Sequence, residues 1–328
     1  MTRPFRLGTG SRNHTDTILL TLTDEVGHFG YGEASLPPYL GQDVDAAMEF
    51  FRRVDAALLD PDHPGKSTDA VADALGAEHR APLAAINIAL HDLHCKREGV
   101  NFGAHIGTRR SGVATTYTIG HSTDEELKLK LEESADFGLI KLKLGSSDDR
   151  ALIDAFRKHS TKPFCVDVNQ AWKDFEQALP LIDHLHALGC IFVEQPFPVG
   201  MEEETGRLGE QSPLPLIADE SVRDVDDFRR EGGAFQGVNV KLMKARGLDG
   251  AMRVMEEVRG VGKYLVVGCM AESSCAVTAA SYLAPLADWA DLDGPLLMRN
   301  DPFRGVEYIG GKVHLPFDKP GMGVAPIL

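Results

Sequence analysis

Three acidic residues, Asp167, Glu194 and Asp219, each close a short hydrophobic run, and the runs CVDVN, FVEQP and LIADE follow one another along the chain. If those runs are neighbouring strands, their carboxylates converge on one point. Unpaired carboxylates held that close repel one another unless a cation sits between them. Ligation by oxygen alone, without His or Cys, favours a hard ion, Mg²⁺ above others, with positions left for substrate oxygens. The plainer alternative, acids that merely cap the following helices, has to explain why three consecutive runs share the feature. Lys143 ends IKLK and Lys241 ends VNVK. Two amines facing each other across a metal-held substrate could remove a proton from one face of a carbon and return one to the other. Lys141, two residues before Lys143, points the same way and would depress its neighbour's pKa by like-charge repulsion, as a cation would. Such a lysine can act as a general base. Rim lysines that balance the acids are a second reading, and a Schiff-base lysine, which needs no carboxylate triad, is a third.

Asp291 and Asp293 lie one residue apart and therefore turn to the same face of an extended chain. An anionic pair there would hold a cationic substrate group some distance from the metal. Two extended residues span about 7 Å, so a dipeptide with its carboxylate on the metal and its ammonium on this pair fits. Spacing alone leaves a surface turn, Asp-Leu-Asp-Gly, equally open. Met270 and Glu272, in GCMAESS, could line the same pocket; capping of the next helix explains Glu272-Ser273-Ser274 as well. His91 and His94, and His184 and His186, fall on expected helices with no third ligand and read as structural.

These residues need a scaffold that brings strand ends together. Eight short β-rich runs recur at intervals of roughly 22 to 28 residues, the spacing of parallel strands with crossover helices, and eight predict a closed (β/α) barrel. They are YTIG, IKLK, CVDVN, FVEQP, LIADE, VNVK, LVVGCM and WADLD. Active sites of such barrels sit at the C-terminal strand ends, where the ionisable residues fall. Before the barrel, Thr17 to Thr23 and His28 to Ala34 predict a hairpin turning at Asp24 to Gly27. Helices are expected over Asp43 to Leu59, Ser67 to Leu75 and Ala81 to Lys96, and crossover helices over Asp124 to Phe137, Asp149 to His159 and Phe175 to Leu188. The organisation expected is an α+β unit over 1–110, a barrel over 111–296, and a tail, about 297–328, that holds a strand pair (Val306 to Ile309, Lys312 to Leu315) and folds back onto the N-terminal unit to complete it. The 328 residues suffice for both. A formal charge of −15 disfavours nucleic acid or an anionic membrane as partner. No run approaches the roughly 18 apolar residues of a membrane span. Five cysteines, odd in number and without CxxC spacing, predict a reduced, cytoplasmic protein.

Taken together, GYGEA, KLKLG, DVNQAW, VEQP, ADES, NVKLMKARG, GCMAESS and DLDGPLLM, in that order, resemble the enolase superfamily in its muconate-lactonizing-enzyme-like subgroup. The resemblance covers nearly the whole chain. It implies a modified (β/α)7β barrel, a capping domain built from both termini, and Mg²⁺ on Asp167, Glu194 and Asp219. It also implies Lys143 and Lys241 as the two acid/base residues with Lys141 assisting, and Asn169 and Glu220 supporting the ligands. Within the subgroup, the strand-eight Asp-x-Asp is similar to that of dipeptide epimerases, where it binds the substrate's ammonium. Those enzymes invert the C-terminal residue of a dipeptide, often L-Ala-D/L-Glu from cell-wall peptide recycling, by two-base proton transfer through an enediolate. Two departures stand out. The chain starts almost at Arg3-Pro4-Phe5-Arg6, so the cap's edge strand is expected to be missing or the start misassigned. In the loop from Leu7 to Thr17, Thr9 and Gly10 are small, which leaves Arg12 and His14 to recognise an acidic side chain. The expected activity is a Mg²⁺-dependent dipeptide epimerase, with Mn²⁺ a substitute and a homo-oligomer the expected assembly. An o-succinylbenzoate synthase or muconate-type cycloisomerase has no use for an ammonium clamp, and a non-catalytic peptide-binding protein has no use for both lysines.

Overall fold

The computed structural model describes residues 5–7, 10–108, 111–146 and 148–327, without the side chains of 5–7, 10–12 and 39. Eight parallel strands form one sheet in the order of the sequence: Thr116–Ile119, Leu139–Lys143, Phe164–Asp167, Cys190–Glu194, Leu216–Ala218, Gly237–Lys241, Tyr264–Gly268 and Trp289–Asp291. They are called barrel strands one to eight below. A crossover helix follows each of the first seven, at Asp124–Glu133, Asp149–His159, Phe175–Ala187, Glu202–Gln211, Val225–Glu231, Leu248–Gly260 and Ser274–Ser281. After strand eight comes a 3-10 turn, Gly294–Leu297, and then the tail, so the barrel is (β/α)7β. The helix starts follow from local chemistry. Thr123 and Glu126 bond reciprocally across the first turn, and Asp148, Asp174 and Asp224 each accept a backbone N–H that the helix itself leaves unpaired.

Strands eight and one are joined by side chains in place of a backbone ladder. Leu292 N donates to Thr115 Oγ1 (2.8 Å), Thr116 Oγ1 to Asp291 Oδ1 (2.5 Å) and Thr118 N to Asp293 Oδ2 (2.5 Å). Inside the barrel, Cys165, Phe192, Ile217 and Val266 form an apolar floor, with Leu139, Ile191 and Trp289 packed against it. Two residues beyond Leu139, Cys165, Phe192, Ile217 and Trp289 on the same strands stand Lys141, Asp167, Glu194, Asp219 and Asp291, with Lys143 a further step along strand two and Lys241 at the end of strand six. The period of two thus turns an apolar layer below into a charged layer above.

The hairpin consists of Asp16–Thr23 and Phe29–Leu36, paired in full register, and its turn is held by Asp24 Oδ1 accepting from Val26 N (3.0 Å) and His28 N (2.8 Å). It lies on the long helix Arg80–Arg97, and here side chains must be absent: a Cβ on Gly30 or Gly32 would stand 2.0 Å from the carbonyl oxygen of Ala89 or Ala85. The helix is buried on nearly every side, and its buried polar residues Asn87, His91 and Asp92 are met by hydrogen bonds. The helix expected over Asp43 to Leu59 is shorter, Val44–Arg53: Val54 turns extended and Asp55 caps a separate 3-10 turn, Ala56–Leu58. In the tail, Glu307–Ile309 and Lys312–His314 pair with each other and with Val113–Ala114. The tail then returns to the N-terminal unit, where Met322 N donates to Asp92 Oδ1 (2.8 Å) and Gly321 N to Val100 O (2.9 Å).

Polar bonds fix the N-terminal unit on the barrel. Glu33, fully buried in the hairpin, accepts from Ser273 N (2.8 Å), Ser273 Oγ (2.5 Å) and Ala276 N (3.0 Å), and so caps the helix after strand seven from outside the barrel. On the long helix, Asn87 Oδ1 accepts from Leu248 N (2.7 Å) while Asn87 Nδ2 donates to Asp249 Oδ2 (2.7 Å), and His91 Nε2 bonds the same oxygen (2.7 Å). His91 is therefore structural, as its place on a helix suggested. Glu33→Ala orphans three buried donors at about 1 to 3 kcal/mol each. Its urea midpoint is expected to fall by the equivalent of a few kcal/mol, and an unchanged midpoint would show that Glu33 does not hold the two units together.

Candidate active site at the barrel mouth

Asp167, Glu194 and Asp219 end strands three and four and begin the loop after strand five, and all three are buried. One carboxylate oxygen from each lies within 4.8 Å of the others. Asn239 Nδ2 donates to Glu194 Oε1 (2.9 Å). Asn239 has that room because residue 268 is glycine, where a Cβ would stand 2.4 Å from Asn239 Oδ1. Asn169 N donates to Asp167 Oδ1 (2.9 Å), and Asn169 Nδ2 reaches Glu220 Oε1 (3.4 Å). Both residues expected to support the ligands thus stand beside them. The backbone is unusual here: Asn169, Gln170 and Gln195, none of them glycine, have φ of 46°, 67° and 36°. Strain of this kind persists where surrounding bonds over-determine it, typically at functional sites.

Four ammonium groups face these acids. Lys141, 1% exposed, lies 2.6 Å from Asp291 Oδ2, 2.8 Å from Glu194 Oε2 and 3.2 Å from Asp167 Oδ2. Lys143 Nζ donates to Asp167 Oδ2 (2.5 Å) and Asn169 Oδ1 (3.2 Å). From the opposite side of the ring, Lys241 Nζ donates to Asp219 Oδ2 (2.7 Å) and Lys244 Nζ to Asp219 Oδ1 (2.5 Å). Burial opposes the charge on Lys141, yet Asp291, Glu194 and Asp167 outweigh it and hold the amine well above its ordinary pKa. Burial likewise pushes Asp167 and Asp219 up, but Lys143 and Lys141 for the first, and Lys241 and Lys244 for the second, keep both below the usual carboxylate range. Glu194 is pushed up to about 8 by burial and by Asp167. Its proton marks the negative charge that a cation would relieve, and a buried, all-oxygen donor set suits a hard divalent ion, so the residues fit Mg²⁺.

Asp291 and Asp293 are not a surface turn. Both are buried. Asp291 is engaged at both oxygens, by Thr116 and Lys141. Asp293 accepts from Thr118 N at Oδ2 (2.5 Å) and is also bonded by the Thr118 side chain, but no ion pair with a lysine is seen for it among the described residues. Burial and the charge of Asp291 push Asp293 up to about 7. Glu272 is 1% exposed; its Oε1 accepts from Met270 N (2.8 Å), and its Oε2 has no hydrogen-bond partner among the described residues. Burial and nearby Glu33 push it up to about 8. Met270 is buried beside it. His14 is exposed in the loop before the hairpin, and no described contact brings it to the acids; the side chain of Arg12 and the whole of Thr9 lie outside the described residues.

Sequence reading missed several residues of this constellation. Asn239 and Thr116 could have been found, because each stands on the inward face of a strand that was recognised. Glu33, Gln195 and Lys244 left no such signal, since the partners that tie them to the site, Ser273, Ser221 and Asp219, lie 25 or more residues away along the chain.

Known proteins carry the same architecture. Residues 125–327 match the family described as enolase C-terminal domain-like. The L-Ala-D/L-Glu epimerase of Bacteroides thetaiotaomicron is 39% identical over 325 residues, covering 98% of this chain and 84% of that one. Among solved structures, a substrate-liganded complex of the L-Ala-D/L-Glu epimerase from Bacillus subtilis is similar with a TM-score of 0.91 at 27% identity, covering 100% and 96% of the two chains. A dipeptide epimerase from Enterococcus faecalis V583, complexed with Mg and L-Leu-L-Tyr, gives a TM-score of 0.91 at 26% identity over 98% and 95%. With three acids converging at the mouth of a (β/α)7β barrel and a family match over most of its length, the chain belongs to the enolase C-terminal domain-like family of the enolase superfamily.

Proposed function

We propose that the protein is a Mg²⁺-dependent dipeptide epimerase that inverts the Cα of the C-terminal residue of a dipeptide, L-Ala-D/L-Glu or a related L-Ala-Xaa. The observation that carries this reading is the placement of Lys143 and Lys241 on opposite strands, two and six, with the carboxylate cluster between them. Asp167, Glu194 and Asp219 would hold the ion, one per site. Mg²⁺ bound there offsets the negative charge that develops on the substrate carboxylate as Cα loses its proton. One lysine Nζ removes that proton, leaving a planar enediolate, and the other returns a proton to the opposite face. Either lysine begins the reaction, depending on which epimer is bound. Lys141, fixed in its charged form between three acids, orders the site without taking a proton. The apolar floor below excludes water from that side, which strengthens each electrostatic contact.

The dipeptide's ammonium is assigned to Asp293 rather than to both acids, because Asp291 is already engaged by Lys141 and Thr116. The same acid supports the dipeptide reading over the cycloisomerase alternative, whose substrates offer no cation. Met270 and Glu272 would line the pocket, and Arg12 and His14 would meet an acidic side chain at the second position. Mn²⁺ substitution, a homo-oligomer, and a cytoplasmic place in the recycling of cell-wall peptides complete the proposal. The five cysteines, all free and buried, accord with a reducing compartment, and among the described residues no helix is long and apolar enough to cross a membrane.

The two-base assignment is tested in D₂O with L-Ala-L-Glu and L-Ala-D-Glu. Lys143→Ala and Lys241→Ala should each abolish epimerisation, while Cα–H exchange survives in a variant for the one epimer that faces its remaining lysine. Epimerisation at the wild-type rate by either variant would sink the mechanism.

The ammonium assignment predicts that Asp293→Asn lowers kcat/KM for free dipeptides by about ten- to a hundredfold, the worth of one charge-assisted hydrogen bond. N-acetyl dipeptides should be poor wild-type substrates. The pH dependence has a definite sign. With Asp293 pushed up to about 7, kcat/KM falls as pH drops below 7 and the carboxylate takes up a proton. It falls again above about 8, where the dipeptide's own amine loses its charge. In Asp293→Asn the acid limb at 7 should vanish; its persistence would remove Asp293 from substrate binding.

A further inference from the structure

Lys244 takes no part in the proton transfers proposed above. It stands on the short helix Leu242–Ala245 directly after strand six and is 3% exposed. Its ammonium is enclosed by four oxygens: Asp219 Oδ1 (2.5 Å), Asp219 O (2.5 Å), Asn239 O (3.0 Å) and Val222 O (3.2 Å). Two of the four belong to one residue. Asp219 is gripped from its other side by Gln195, whose Oε1 accepts from Asp219 N (2.9 Å) and Ser221 N (3.2 Å) while its Nε2 donates to Ser221 Oγ (2.8 Å) and Phe197 O (2.9 Å). Gln195 makes these bonds from a left-handed backbone at φ 36°. The backbone of Asp219 is therefore fixed at both its N–H and its C=O, and its carboxylate is bonded at both oxygens, Oδ1 by Lys244 and Oδ2 by Lys241 (2.7 Å).

A buried ammonium is costly unless its partners satisfy it, and this one stands beside a proposed cation ligand. By Coulomb's law alone, a fixed positive charge at that distance weakens the binding of another cation. The geometry points to the opposite effect. We infer that Lys244 is a positioning residue that tightens divalent-ion binding by locking the rotamer of Asp219 through Oδ1, so that the ion meets the carboxylate at Oδ2, the oxygen that Lys241 bonds in this structure. Its attachment to the backbone of residues 219, 222 and 239 makes it a brace across the ends of strands five and six. Groups that orient a ligand in this way typically contribute about ten- to a hundredfold in metal affinity. The inference rests on the metal reading of Asp167, Glu194 and Asp219.

Because charge and position predict opposite signs, a binding measurement separates them. Chelator-stripped full-length wild type, Lys244→Met and Lys244→Arg are titrated with Mg²⁺ by calorimetry, after circular dichroism has verified the fold of each. Positioning predicts Mg²⁺ binding weaker by about tenfold or more in both variants, since a planar guanidinium cannot occupy the four-oxygen cage in the same way. Unchanged or tighter binding by Lys244→Met overturns the inference. So does wild-type affinity in Lys244→Arg, which would mean that the four-oxygen cage around the ammonium is not needed to position Asp219. Should the Met variant not fold, the Arg variant decides by itself. A wild type that takes up no Mg²⁺ sinks the metal reading and this inference with it, whereas normal wild-type binding with unaltered variants removes only the role of Lys244.

Discussion

Everything at the mouth of this barrel follows from the cost of burying charge. Asp167, Glu194, Asp219 and Asp291 lie above an apolar floor, out of water, and such a group is tolerated only when an opposite charge or a full set of hydrogen bonds meets it. Lys141, Lys143, Lys241 and Lys244 supply four ammonium groups for four acids. The pairing is distributed, since Lys141 touches three acids and Asp219 touches two lysines. Burial above all, helped by the charge of neighbouring acids, drives Glu194, Glu220, Glu272 and Asp293 toward neutrality. A barrel is well suited to this accounting, because strand ends from all round the ring can each contribute one group to a common point.

The same constraint explains how the N-terminal unit is mounted. Where it meets the barrel, buried polar groups from both sides have to be satisfied, and Glu33, Asn87, His91 and Asp92 do so with bonds to helix starts and to the tail. Ser35 adds a bond to Ala271 O (3.0 Å). The loop after strand seven, which carries Met270 and Glu272, is thus held from outside the barrel. The residues proposed to line the substrate pocket in one unit take their positions from the other. This couples the hairpin, which makes none of the proposed chemical steps, to the shape of the pocket.

Much of this was legible in the sequence because it depends on short periods. Alternation along each run gives the strands, their spacing gives the barrel, and the last residue of a run gives the side chain at the mouth. Lys141 and Lys143, or Asp291 and Asp293, share a face by the same rule. What the rule cannot give is the partner. Nothing near Asp291 in the chain announces that Lys141, 150 residues earlier, will occupy it while Thr118 bonds Asp293. Glu33 and Lys244 were hidden for the same reason, one in a small-residue strand and the other past the end of a recognised one. The overlong helix at Asp43 to Leu59 has a local cause: its apolar pattern continues beyond Val54, while Asp55 restarts the backbone as a separate turn.

The seam between strands eight and one has a kinetic consequence. Elsewhere in the sheet an amide proton is protected by a ladder that opens only when two strands part. At the seam, the amides of Thr118 and Leu292 are guarded by the carboxylate of Asp293 and the hydroxyl of Thr115, so a rotation of one side chain is enough to bare them. Amide exchange with solvent should therefore be fastest, within the sheet, along this line. The line passes beside the Lys141–Asp291 pair. One of the residues that close it is Asp293, the acid proposed above to meet the substrate's ammonium.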